Sequence, residues 1–482
     1  MREKKKRLRK QRKGRRGKND TIAAVTTPLG EGGIGVIQVS GPDALAIVDR
    51  IFRRKGGGRK VRGASSGELF YGTVVDAVTS APVDEALVSI WRSEESPTGE
   101  DLVEINCHGG AGAVRGTLDT VVKAGARVGV WTEFLDRGRE SARMDFLQME
   151  ALEALVNAKT RLEVKVLTAQ YEKLLSQRVL DFETGIDVIA ETINGGSTGR
   201  ALQRNVSDKL AALLKGLDEL LDSAAFGLAL SNPQKVSIAG LPNAGKSTLF
   251  NKILGQERAI VHHLPGTTRD YINEYFSIRG IPFELLDSAG LRETDEQVER
   301  KGVERARHLH RRADRIILVL DGSRDFREQE WARIQELAFD RGVYKEKIIT
   351  VVNKIDLGVM LDTERLAAML DGPICHISAL KGTGLDSLEK MIVGELFDEY
   401  IDCYETGKPK APVVFTNRQR AILLEVRNIV RKLSGAFNDS GTVDGECPGV
   451  IREKLRELRC GDGYKGHQEI PDRVMPAMGV MD

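Results

Sequence analysis

The run Gly240-Leu-Pro-Asn-Ala-Gly245-Lys246-Ser247 constrains this chain more than any other feature. It follows the apolar run KVSIAG and fits the pattern G-x-x-x-x-G-K-[ST], in which a strand turns through a loop into a helix. Glycines there let successive backbone N–H groups turn inward around phosphate oxygens, where a side chain would block them. Lys246 brings a positive charge to β- and γ-phosphates, and Ser247 offers a hydroxyl to Mg2+. A helix starting near Lys246 adds the positive end of its dipole.

Four further elements stand in a fixed order around this loop. The pair Thr267-Thr268 in LPGTTRD can close onto the metal. Asp287-Ser288-Ala289-Gly290 ends the run FELLDSAG, where Asp287 can hold Mg2+ through water and Gly290 can sense the γ-phosphate. Asn353-Lys354-x-Asp356 follows KIITVV. A carboxylate there accepts two hydrogen bonds, from guanine N1–H and the 2-amino group, and adenine offers no such pair. Ser378-Ala379 follows another strand-like run and can direct a backbone N–H at guanine O6. Singly, each piece is an ordinary turn. Together, each at or near a strand end, they specify a GTPase whose nucleotide contacts run from Asn243 through Ala244, Gly245, Lys246, Ser247 and Thr248 to the four later elements. Leu291, not glutamine, follows DSAG, so another group must position the attacking water. The acidic candidates are Glu293, Asp295, Glu296 and Glu299.

At 482 residues the chain calls for two or three domains. The reading is an arm over residues 1–19, an α+β domain over 20–138, a first helical part over 139–232, an inserted P-loop α/β GTPase domain over 233–400, and a second helical part over 401–482. In the α+β zone, GVIQVSG, FYGTVVD, EALVSIW and DLVEINC read as strands joined by turns, while GEGGIG reads as a turn. Leu210, Leu213, Leu214, Leu217, Leu220 and Leu221 recur at helical spacing, and such a stripe usually packs a core. Residues 147–180, 419–433 and 451–458 also read as helices. Strand–helix alternation from KVSIAG to PICHISAL predicts a mostly parallel sheet with helices on both faces.

The net charge of +2 hides an asymmetry. Residues 1–18 carry 12 Lys/Arg and one Glu, which leaves the rest of the chain at −9. Such a block predicts a disordered arm, either a salt-dependent phosphate binder for nucleic acid or a solubilising extension. No apolar region follows it, so it is no secretory signal, and no run reaches the roughly 18 apolar residues of a membrane span. Five dispersed cysteines with no C-x-x-C pair argue against a disulfide framework or zinc module and fit a reducing cytoplasm. His108 beside Cys107 lacks the partners a zinc site needs.

The stretches DTIAAVTTPLGEGGIGVIQVSGP, TGEDLVEINCHGG, GLPNAGKSTLFN through SALKGTGLDSLEKM, and TNRQR together resemble the MnmE (TrmE) family of tRNA-modifying GTPases over about residues 20–459. The resemblance implies a split helical domain with an inserted GTPase domain. It implies a GTP hydrolase acting on the tRNA wobble uridine with the flavoprotein MnmG, in a homodimer with no membrane partner. Mg2+ would be held by Ser247 and Thr268. K+ would be held by Asn243 and by carbonyls of the loop at His262, His263 and Leu264 and of Thr267, taking the charge-neutralising part of an arginine finger. The water-orienting acid aligns with Glu299.

The resemblance also implies an N-terminal site for a tetrahydrofolate one-carbon donor. This chain departs from the family there: Gln38 stands where an arginine is expected, Glu104 is kept, Arg143 stands where a lysine is expected, and the family's PGEFT signature is reduced to TEFLDRGRE. A neutral Gln38 forfeits a charge-assisted bond to an acidic substituent, and Arg143 keeps charge without lysine geometry. The family's C-x-G-K ending is also missing, since Cys460 is followed by Gly461-Asp462 and the sequence closes GVMD. An incidental thiol is the simpler reading of Cys460. The alternative function is a GTP-switched RNA- or ribosome-binding protein without the modification chemistry.

Overall fold

The structure is a computed structural model that describes residues 20–28, 32–57, 60–194, 200–256, 274–286, 312–338, 347–370, 372–394, 397–406, 411–440 and 447–461. The basic arm lies outside them, as do Gly30 and Glu31 of the GEGGIG stretch and everything after Gly461. The described residues fall into two compact units, which divide between Met149 and Glu150.

The first unit is built on β1 Ile22–Val25, β2 Ile34–Ser40, β3 Phe52–Arg54, β4 Leu69–Val75, β5 Pro82–Trp91, β6 Leu102–His108 and β7 Arg127–Val128. They form one sheet in the order β3-β4-β5-β6-β2-β1-β7, antiparallel except where β1 runs parallel to β7. The four strands read from the sequence are β2, β4, β5 and β6. The shorter β1, β3 and β7 carry too few residues to show an alternation. Period-two spacing buries Ile37, Val39, Val88, Ile90, Val103 and Ile105 on one face. Helices α1 Ala44–Ile51 and α2 Ala111–Lys123 cover that face with Leu45, Val48, Val114 and Val121. Gln38, Ser89 and Glu104 point the other way, side by side on β2, β5 and β6. The TEFLDRGRE stretch folds as α3 Trp131–Glu140, whose Phe134 packs with Ile22, Ala24 and Leu102.

The second unit holds a six-stranded sheet made of β8 Gln234–Ala239, β9 Glu274–Ile278, β10 Ile281–Leu285, β11 Arg315–Asp321, β12 Ile348–Asn353 and β13 Ile374–His376. Its order is β13-β12-β11-β8-β10-β9, parallel throughout except for the β9–β10 hairpin. The expected parallel sheet is present, with an antiparallel edge strand added. Both faces are apolar: Ile317, Val319 and Val351 meet Leu249 and Leu388 on one side, and Ile316, Leu318 and Leu320 meet Ile334 and Leu366 on the other. A fully buried side chain of this size stabilises by about 1.5–3 kcal/mol, so two such layers fix the strand order. The strands β8, β11, β12 and β13 end on the same edge, where open α/β sheets take ligands.

Two helices that precede the sheet, Arg161–Tyr171 and Arg200–Ser231, join the core of the Val319 face through Leu162, Val166, Phe226 and Leu230. The leucine stripe lies on Arg200–Ser231, with Leu210, Leu213, Leu217 and Leu220 buried and Leu214 and Leu221 at its margins. Phe226 stacks on Tyr400 with ring centroids 5.1 Å apart. After the sheet, the chain returns to these helices over residues 411–416. Val413 N–H donates to Gln170 at 3.1 Å, Val414 N–H to Ser223 at 3.0 Å and Phe415 N–H to Gln419 at 3.0 Å. Buried amides outside a ladder need such partners. Asn417–Ser440 and Cys447–Cys460 are helical, extending both runs predicted there.

Candidate functional site

The site forms where β8 turns into the helix Lys246–Gln256. Gly240 has φ +142°, and a Cβ there would lie 2.1 Å from the Val319 carbonyl oxygen. Only glycine passes so close to the neighbouring strand. Gly245 has φ +93°, and its missing Cβ would sit 2.2 Å from Asn353 Nδ2. Asn243 also adopts the left-handed region, at φ 59°, and its side chain is exposed on the loop. Lys246 Nζ donates to the carbonyls of Gly240 at 3.1 Å and Leu241 at 2.9 Å, which folds the lysine back over the loop. Burial holds its pKa below the usual lysine range. A phosphate beside it would favour the charged form that burial disfavours. Ser247 and Thr248 follow on the exposed side of the first helical turn.

Asn353 joins the segments at Lys354–Asp356 and Ser378–Ala379 to the phosphate loop. It is 2% exposed at the end of β12. Its Nδ2 donates to the Ala244 carbonyl at 2.9 Å, and its Oδ1 accepts from the Ala379 amide at 2.9 Å. One amide side chain therefore fixes three loops from three strands. Leaving either group unpaired would cost about 1–3 kcal/mol. Lys354 is left-handed and leads into a single 3-10 turn, Ile355–Leu357, which carries Asp356 half-buried. The Ile355 amide donates to the Ile377 carbonyl at 3.2 Å, holding that turn beside the next strand. Ser378 is fully buried, and its hydroxyl accepts from the Lys381 amide at 3.1 Å.

The structure thus gathers Asn243, Ala244, Gly245, Lys246, Ser247, Thr248, Asn353, Lys354, Asp356, Ser378 and Ala379 at one sheet edge. His262, Leu264, Thr267, Thr268, Asp287, Ser288, Ala289, Gly290 and Glu299 lie outside the described residues. One residue of this edge escapes the motif reading. Asp321, the last residue of β11, receives Lys354 Nζ at 2.6 Å. Its signal in the sequence is an acidic residue ending the apolar run RIILVLDG.

In the first unit Gln38 Nε2 donates to Glu104 Oε1 at 2.8 Å, while Ser89 Oγ donates to Glu104 Oε2 at 3.1 Å. Gln38 therefore supports the carboxylate without neutralising it. Arg143 Nη2 donates to the Ser93 carbonyl at 2.6 Å. His108 Nδ1 pairs with Asp84 at 2.7 Å, and no group of three metal-binding side chains occurs among the described residues. No described helix is long and apolar enough to cross a membrane.

Residues 21–143 match the family described as the GTP-binding protein TrmE N-terminus, and residues 235–354 match the 50S ribosome-binding GTPase family. The tRNA modification GTPase MnmE of Alkaliphilus metalliredigens is 38% identical over 78% of this chain and 81% of its own. Those of Bacillus licheniformis and Bacillus subtilis are 36% and 34% identical, each covering 87% of this chain and 91% of their own. A P-loop tied through Asn353 to two further sheet-end loops, in a chain whose two family matches and relatives are GTPases, makes this chain a GTP-binding, GTP-hydrolysing enzyme. It belongs to the MnmE family of tRNA modification GTPases.

Proposed function

We propose that this enzyme is a K+-stimulated GTPase whose nucleotide cycle supports modification of carbon 5 of the tRNA wobble uridine, together with the flavoprotein MnmG. The observation that carries the reading is the loop at Asn243. Its left-handed backbone presents an exposed carboxamide on a phosphate loop, in a chain whose relatives are tRNA modification GTPases. A carboxamide oxygen is a fitting ligand for a monovalent cation, and the Ser247 hydroxyl for Mg2+. Thr268 would complete the Mg2+ set. His262, Leu264 and Thr267 would complete that for K+. These ions would neutralise charge on the phosphates, and Glu299 would orient water.

Gln38, Glu104 and Arg143 would receive a tetrahydrofolate one-carbon donor, with Glu104 as the acceptor and Arg143 as the cation. We read the domains as drawn from the sequence, with the GTPase module inserted between two helical parts at about 233 and 400. A cytoplasmic homodimer acting on tRNA fits this reading.

GTP turnover measured in K+ and in Na+ tests it. Faster turnover in K+ is expected, and equal rates remove the cation from the mechanism. A Glu299→Ala variant that binds GTP yet hydrolyses it at the normal rate rejects that acid.

A second reading, a GTP-switched RNA- or ribosome-binding protein, is favoured by Gln38, a neutral residue where the family has an arginine, with its amide bonded to Glu104. Under it, deleting residues 1–18 flattens the salt dependence of RNA binding. An unchanged slope rejects the arm as an RNA anchor.

A further inference from the structure

Lys354 holds φ 66° and ψ 31°, a left-handed backbone that residues with side chains keep only when their surroundings over-determine it. Its ammonium supplies one such restraint. Lys354 Nζ lies 2.6 Å from Asp321 Oδ2, and Asp321 stands opposite Asn353 in the β11–β12 register.

Asp321 is itself tightly held. It is 8% exposed, and its Oδ1 accepts from the Ser323 amide at 3.0 Å and the Ser323 hydroxyl at 2.6 Å. The Gly322 amide donates to the Asn353 carbonyl at 2.8 Å, so the loop after β11 is tied to the residue preceding Lys354. A Cβ at Gly322 would lie 2.6 Å from Val352 Cγ1, so the two loop starts are closely packed. Burial alone would raise the Asp321 pKa. The hydrogen bonds from Lys354 and Ser323 outweigh it and leave the carboxyl ionised.

We propose that Asp321 is a positioning residue for guanine-nucleotide binding. It fixes the Lys354 side chain and, through the left-handed peptide, the turn that carries Asp356. The inference rests on reading Asn353-Lys354-x-Asp356 as the guanine element. Asp321 itself need not touch the nucleotide.

The test is dissociation of a fluorescent GDP from the full chain by stopped flow, with thermal melting to establish folding. Asp321→Asn keeps the size and the acceptor for Ser323 but removes the charge. Dissociation should quicken by about tenfold, the scale of a lost charge-assisted hydrogen bond, with little change in kcat at saturating GTP. In a Lys354→Met background the same substitution should add less than about twofold, because the partner is already gone. Ser323→Ala, which keeps the carboxylate and loses one of its donors, should give a smaller increase of the same sign.

Unchanged dissociation in both Asp321→Asn and Ser323→Ala overturns the proposal. So do multiplicative effects with Lys354→Met, which would mean a purely structural aspartate. An Asp356→Asn control separates the two layers of the argument. If that variant keeps full affinity for GDP over inosine diphosphate, the guanine reading has failed, and if it loses that preference while Asp321→Asn is silent, only the positioning role has.

Discussion

The Thr160 hydroxyl donates to the Gly280 carbonyl at 2.6 Å, fastening the tip of the β9–β10 hairpin to the first turn of the helix Arg161–Tyr171. The same oxygen accepts from the Glu163 amide at 3.1 Å, so one side chain caps a helix and holds the hairpin. Around it, Lys159 lies 4.7 Å from the Tyr275 ring centroid, Arg279 pairs with Asp398, and Leu162 Cβ fills the space a side chain at Gly280 would need. The hairpin follows the segment of Thr267 and Thr268 and leads into that of Asp287.

Thr160→Ala should therefore cost about 1–2 kcal/mol, the usual loss of a helix N-cap, increased by the unpaired carbonyl. Thr160→Ser should retain most of the stability. Urea unfolding of the three proteins compares them. An alanine variant as stable as the parent would deny the clamp any energetic role.

Glu163 gives a pH signature. Burial raises its pKa, and the Lys159 amide hydrogen bond only partly opposes this. An acid whose folded pKa exceeds its unfolded value stabilises at low pH, and that contribution is lost as pH rises through the folded pKa. Glu163→Gln keeps an acceptor without the charge. It should melt higher than the parent at pH 7, and the gap should close as pH falls below about 4.5. A gap independent of pH would mean that Glu163 does not titrate across this window.

Gly245→Ala should abolish GTP binding while leaving the first unit folded. Its Cβ would meet Asn353 Nδ2 at 2.2 Å, in a backbone at φ +93° that alanine rarely adopts. Displacing Asn353 also releases the Ala379 amide. Titration with GTP measures the loss, and near-native affinity would show that the loop accommodates a side chain.

Much of this arrangement is legible in the sequence. Glycine and lysine spacing finds the phosphate loop because φ-positive turns and close backbone approach admit few residue types. The strands β8, β11 and β12 show as apolar runs because both faces of the sheet are covered. The short strands β1, β7 and β9 do not show, since their pairing is decided by distant partners rather than by their own pattern. Asp321 is hidden for the same reason. The role proposed for it comes from a parallel register that places it beside Asn353, 32 positions along the chain. The Thr160 clamp joins positions 120 apart and leaves only a threonine that reads as a helix cap.

Gln38→Arg should strengthen binding of a tetrahydrofolate donor. Gln38 lies beside Glu104, 2.8 Å away, and an arginine there would supply the charge that a neutral amide cannot offer to an acidic substituent of the donor. Equilibrium binding of the donor to both proteins decides this. Equal affinities would mean that charge at position 38 does not govern the site.

Nucleoside mass spectrometry decides whether the GTPase cycle of this protein supports wobble-uridine modification. tRNA would be incubated with this protein, MnmG, GTP, K+ and the one-carbon donor, with a Lys246→Ala variant alongside. The modified wobble uridine is expected with the parent protein and none with the variant. No product from the parent, with GTP hydrolysis intact and a family member working under the same conditions, would contradict it.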